Sequence, residues 1–171
     1  MSDPIHNLDE IPDALRDRDQ WLHWDSDNDT PRRPHKQSDF TVSWSNPDEW
    51  LGFQEAASDA LQKDSWGIGY VTAANNSDHP MGMVSVIDLD DAANDDDELA
   101  DWVPSLQPFF DRGCYLEWSP SHSESGPSGI HIPVLGTDIP EWWSDSHLNS
   151  GHAGADLLAN KFCTVTGDRL S

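Results

Sequence analysis

The chain has 171 residues, with 32 Asp and Glu against 9 Lys and Arg, for a formal net charge of -23. That size suits one domain with its own core, and the charge excludes the basic patch by which nucleic-acid binders are usually known at low salt. No apolar stretch reaches the roughly 18 residues of a membrane-spanning helix, and Cys114 and Cys163, without a C-x-x-C pair, support neither a zinc site nor a disulfide framework.

The acidity itself has two readings. A disordered, solvating chain is one. The periodic apolar runs and nine Trp favour the other, a folded halophilic protein adapted to molar salt. There the Debye length falls to about 3 Å and self-repulsion is screened. The same screening lets an acidic chain approach nucleic acid. The opening "MSDPIHNLDE" lacks the basic and apolar regions of a signal peptide, so a soluble cytoplasmic protein is expected.

In chain order, "IPDALRDRD" reads as a short helix with Pro12 near its first turn. "QWLHW" alternates as a strand. "DSDNDTPRRPHKQSD" is a polar loop carrying Arg32, Arg33 and Lys36, and "FTVSW" is a further strand. "SNPDEWLGFQEAASDALQ" predicts one continuous helix. Asn46 is placed to cap it, Pro47 stands at its first position, and Phe53, Ala56, Ala57, Ala60 and Leu61 form one apolar face. "WGIGYVT" and "MGMVSVIDLD" are strands, followed by an acidic loop and a short helix ending near Pro104. "CYLEWS", "IHIPVLG", "ADLL" and "KFCTVTG" complete a strand-rich second half. Mixed helix and strand in this order predicts a single α+β domain over 1–171, with a mixed or antiparallel sheet and flanking helices.

The strand ending "VIDLD" carries the chemistry. Residues i and i+2 of a strand share a face about 6.6 Å apart along the chain, so Asp88 and Asp90 project together behind Val84 and Val86. Paired carboxylates beside an apolar layer are stabilised by a raised pKa or by a hard divalent cation such as Mg or Mn. In so acidic a chain a bare D-x-D is also a common way for a strand to end. A second feature is "SGPSGIHIPV", where Ser128, the amide of Gly129 and His131 could donate to phosphate oxygens. A third is "GADLLANKFCTVTG", with Asp156 as a further carboxylate and Lys161 as a cation able to meet phosphate.

Taken in order, "VIDLD", "SPSHSESGPSGIHI" and "DLLANKFCTVTG" resemble the archaeo-eukaryotic primase superfamily, in particular the primase-polymerase domains of viral and plasmid replication proteins. "IPDALRDRDQWLHW", "SNPDEWLGFQEA" and "WGIGYV" are similar to that family's lead-in, so the resemblance covers nearly the whole chain. It implies a primase-like catalytic core and template-directed nucleotidyl transfer with two Mg or Mn ions. Asp88, Asp90 and Asp156 would be the metal carboxylates. Ser128, Gly129 and His131 would hold the triphosphate, and Lys161, where the family usually has Arg, would face phosphate or template. The implied partners are nucleoside triphosphates and a single-stranded or primed template. A helical or helicase segment encoded separately is also implied, since relatives commonly continue into one.

Two other readings stand beside it. One is a relative that binds nucleotide or a replication partner without chemistry. The other is a metal-dependent phosphoesterase or nuclease using His122, His131, His147 and His152 with Asp88 and Asp90.

Overall fold

The computed structural model describes residues 5, 7–27, 34, 42–72, 83–123, 126–135 and 154–171. Arg32, Arg33, Lys36, His147 and His152 lie outside the described residues, as do most of the loops around them.

Helix α1, Asp13–Arg16, starts after Pro12, and its Leu15 is buried. Strand β1, Trp21–Asp25, pairs antiparallel with β2, Trp66–Val71. Strand β2 pairs in turn with β7, Phe162–Val165, so the first sheet has the order β1-β2-β7. The second sheet has the order β4-β5-β3-β6, formed by β3 (Val84–Ala93), β4 (Glu117–Trp118), β5 (Ser128–Leu135) and β6 (Ala155–Leu158). Every strand pair named here is antiparallel, and together with the helices this makes an α+β fold.

Two apolar layers fix these sheets. Helix α2, Phe53–Ala60, turns Phe53, Ala56, Ala57 and Ala60 onto Trp21, Ile68 and Tyr70 of the first sheet. In the second sheet Ile87, Leu89, Ile130 and Ile132 are fully buried and pack with Phe109 of helix α3, Gln107–Asp111. Each such side chain contributes about 1.5–3 kcal/mol on burial. Gly69 in β2 leaves room for the Phe162 ring close against its backbone. A Cβ there would overlap that ring and come within 2.7 Å of the Cys163 carbonyl.

The continuous helix expected from Ser45 to Gln62 is broken. Leu51 exchanges backbone hydrogen bonds with Trp21 at 2.9 and 3.1 Å, which pulls the chain into extended geometry before α2. Asn46 caps only a 3-10 turn, Pro47–Glu49. The helix expected before Pro104 is replaced by a longer β3, which reaches Ala93, and by a bridge from Ala93 to Leu99. Val42 and Trp44 of the expected "FTVSW" strand serve instead as side-chain packing on Leu22 and Val71, outside any strand.

One connection positions the site. Strands β6 and β7 follow one another in sequence but belong to different sheets. The crossing is fastened by Thr72, whose amide donates to the Lys161 carbonyl at 2.9 Å while its hydroxyl accepts from the Lys161 amide at 3.0 Å. It carries Cys163 into contact with Val86 and Leu158 on the D-x-D face of the second sheet.

Candidate active site

Register builds the site. Asp88 lies opposite His131 on one side and opposite Asp156 on the other, and His131 lies opposite Glu117. Opposed residues of antiparallel strands share a face, with Cα atoms about 4.5–5.5 Å apart. The row Glu117, His131, Asp88, Asp156 therefore crosses four strands on one face. One residue along, the row Trp118, Ile130, Leu89, Ala155 faces the core. Asp88 and Asp156, far apart in the chain, thus share a face, and sheet register brings this about.

Asp88 ends the apolar part of β3. Its Oδ1 is buried without a hydrogen-bond donor and lies 3.5 Å from His131 Nε2. Burial first, then the Asp90 and Asp156 charges, hold its carboxyl above the usual range against the opposing pull of His131 and Lys161. Asp90 is exposed, and its amide donates to the Gly154 carbonyl. Asp91 has φ 52°, and the β3–β5 register shifts between Leu89 and Ala93. This irregularity lets two successive residues, Asp90 and Asp91, line the same cavity as Asp88, which plain alternation forbids.

That cavity, about 290 Å³, is also lined by Ser119, Ser121, His131, and Phe162 to Thr164 of β7. His131 is almost fully buried, with Nδ1 3.4 Å from Glu117 Oε1. Burial alone would depress its pKa. The Cys163 sulfur, Glu117 and Asp88 outweigh burial and push it well above the ordinary imidazole value. Burial raises Cys163 in turn, which keeps it a thiol, so the two carboxylates are the cause we assign to the imidazolium.

The nucleotide side differs from expectation in one respect. Ser128 pairs with Ala93 and stands three residues from His131, which puts it on the opposite, core-facing side of β5. Gly129 does share the His131 face, but its amide donates to Ser121 Oγ at 3.1 Å, and a Cβ there would come within 2.8 Å of Ser119 Oγ. The hydroxyl-bearing residues that line the cavity are Ser119 and Ser121, with hydroxyls 2.6 Å apart, and Thr164. Lys161 is exposed and holds Asp156 through Nζ–Oδ2 at 3.1 Å. Neither residue lines the cavity.

His122 does not join this group. Its two ring nitrogens each lie 2.9 Å from a carboxylate, Asp168 and Asp97, and its ring stacks on Trp118 at 4.5 Å. The mixed His/Asp metal site of the phosphoesterase reading is not built around it.

The donor set suits a hard divalent cation in kind. Asp88 and Asp90 present carboxylate oxygens to one cavity, and the orphaned Asp88 Oδ1 is an acceptor without a donor. Among the described residues, no three His, Cys, Asp or Glu side chains already close on a common point.

Glu117, Cys163, Ser119 and Ser121 were not singled out from the sequence. Glu117 had a signal, a lone acid within the apolar "YLEW". Both serines lie in the same small-residue loop as Ser128. The "TVTG" segment explains part of the arrangement. Thr164 lines the cavity, while the Thr166 and Gly167 amides donate to Glu117.

No known family model matches the chain, and no curated protein matches it. Among the described residues no helix is long and apolar enough to cross a membrane.

Proposed function

We propose that the chain is a nucleotidyltransferase of the primase-polymerase type, extending or starting an oligonucleotide on a template from nucleoside triphosphates. The observation that carries this reading is the in-register row Glu117, His131, Asp88, Asp156, whose two central members line a cavity together with Asp90. Carboxylates able to hold divalent ions, with a donor for phosphate oxygens beside them, suit metal-assisted phosphoryl chemistry.

Asp88 and Asp90, with Asp156 across the strand, would hold Mg or Mn. When bound, such ions would activate a 3′-oxygen and neutralise charge on the α-phosphate and the leaving pyrophosphate. The chain's own groups do the rest. His131, with Ser119 and Ser121, offers donors to phosphate oxygens, and positioning of this kind acts through orientation. Phe162 gives the cavity one apolar wall. Lys161 can exchange Asp156 for a phosphate, since its ion pair is exposed. The expected macromolecular partners are a single-stranded or primed template and a separately encoded helical or helicase segment.

The test is incorporation of labelled nucleotide on a primed single strand at molar KCl with Mn or Mg. Wild type should incorporate it, and Asp88→Ala, folded by circular dichroism, should not. Equal incorporation by the two proteins would end this reading. A second reading, binding of nucleotide or a replication partner without chemistry, is favoured by the Lys161–Asp156 ion pair, which occupies one of the three expected metal carboxylates. It predicts saturable triphosphate binding with no incorporation.

A further inference from the structure

Glu117 is 1 % exposed and does not line the cavity. A carboxylate this deep is costly unless its oxygens are hydrogen-bonded. Here they are. Oε2 accepts from the Tyr115 hydroxyl at 2.7 Å and from the Gly167 amide at 3.0 Å. The Thr166 amide reaches both oxygens at 3.2 Å, and Oε1 faces His131 Nδ1 at 3.4 Å. The donors to Glu117 thus come from three separate stretches of chain.

Anchoring the Thr166–Gly167 turn would explain the two amides. It does not explain why a neighbouring imidazole aims a ring nitrogen at the same carboxylate. The His ring turns freely about a broad, roughly two-fold torsion. The β4–β5 register sets Glu117 directly beside it, and an acceptor at that fixed place selects one ring orientation, with a proton on Nδ1.

We propose that Glu117 is the positioning residue of the site. It accepts the proton of His131 Nδ1, which aims Nε2 at Asp88 Oδ1 and the cavity. Its bearing on nucleotide rests on the primase-polymerase reading above. Its bearing on the ring does not. Gln substitutes poorly, because its NH₂ would confront the Thr166 amide in either orientation, together with the Gly167 amide at the Oε2 position or with His131 Nδ1 at the Oε1 position.

Two measurements test this. In the ¹⁵N-labelled wild-type protein, long-range proton–nitrogen correlations of the His131 ring, assigned with a His131→Gln control, should show Nδ1 carrying a proton. A lone pair on Nδ1 would overturn the proposal. In Glu117→Gln the ring pattern should change, and affinity for Mg-bound nucleoside triphosphate, by titration calorimetry, should fall by about tenfold or more, the usual effect of removing such a supporting partner. A folded Glu117→Gln protein with the wild-type ring pattern and affinity would also overturn it. Should that variant not fold, the wild-type ring decides alone. Should the wild type bind no triphosphate, the nucleotide reading fails while the ring still decides the role of Glu117.

Discussion

His131 and Asp88 occupy one rung of the β3–β5 ladder, with Nε2 3.5 Å from Oδ1. A buried imidazole placed there does two things for a carboxylate whose buried Oδ1 lacks a hydrogen-bond donor. It offsets part of the burial penalty, and it leaves the carboxylate free to bind a cation. The surrounding residues make definite predictions.

Lys161 and Asp156 form an exposed pair, with side chains 58 % and 60 % accessible, so the bond itself is worth about 0–1 kcal/mol. Lys161→Ala should leave stability nearly unchanged. Freed Asp156 should tighten Mn binding by up to about fivefold, while the KM for triphosphate rises because a cation facing phosphate is lost. Calorimetry and steady-state kinetics read the two movements. A change in the same sense for both would separate Asp156 from the metal or Lys161 from the phosphate.

Gly167 has φ 72°, and a Cβ there would overlap the Asn7 carbonyl, which is backbone and cannot swing aside. Gly167→Ala therefore meets both a left-handed penalty and a clash. We expect a loss of about 1–3 kcal/mol or more in denaturant unfolding. Because the Gly167 amide serves Glu117, the His131 ring signals should shift as well. A variant as stable as wild type would contradict the assignment of this turn.

His122 supplies the pH dependence. Burial works against its charged form, but the Asp168 and Asp97 hydrogen bonds outweigh it, so its folded pKa lies above the ordinary imidazole value. A raised folded value means that its stabilisation is fully present below the unfolded pKa. That stabilisation is lost as pH rises through the folded pKa. Asp97→Asn should lower the melting temperature most below pH about 6 and converge with wild type at mildly alkaline pH. A gap that widens with rising pH would reverse the sign and refute the account.

The net charge of -23 sets a salt dependence. Raising KCl from about 0.1 M to about 3 M shortens the Debye length from about 10 Å to below 3 Å. The melting temperature should then rise on the order of 10 °C as repulsion between carboxylates is screened. A flat or falling curve would remove the halophilic reading.

Much of the site follows from a period of two. Asp88 and Asp90 share a strand face because they are two apart, and the spacing alone says so. The same rule already separates Ser128 from His131, which are three apart. That pairing was expected on the grounds of loop composition, and alternation overrules it. The break before α2 had no local signal. Residues 46–61 read as a helix until Leu51 finds Trp21, thirty positions earlier, and takes its backbone hydrogen bonds.

The sequence by itself determined the α+β class, the apolar faces of β3 and β5, the paired acids at the end of β3 and the surface charge, since each depends on residues near one another in the chain. Tertiary structure alone decided that Asp156 meets Asp88, that Glu117 stands behind His131 and that Cys163 crosses from the other sheet. Those meetings are set by strand register and sheet packing, whose free energy comes from burying side chains far apart in sequence. No local pattern encodes which strands become neighbours.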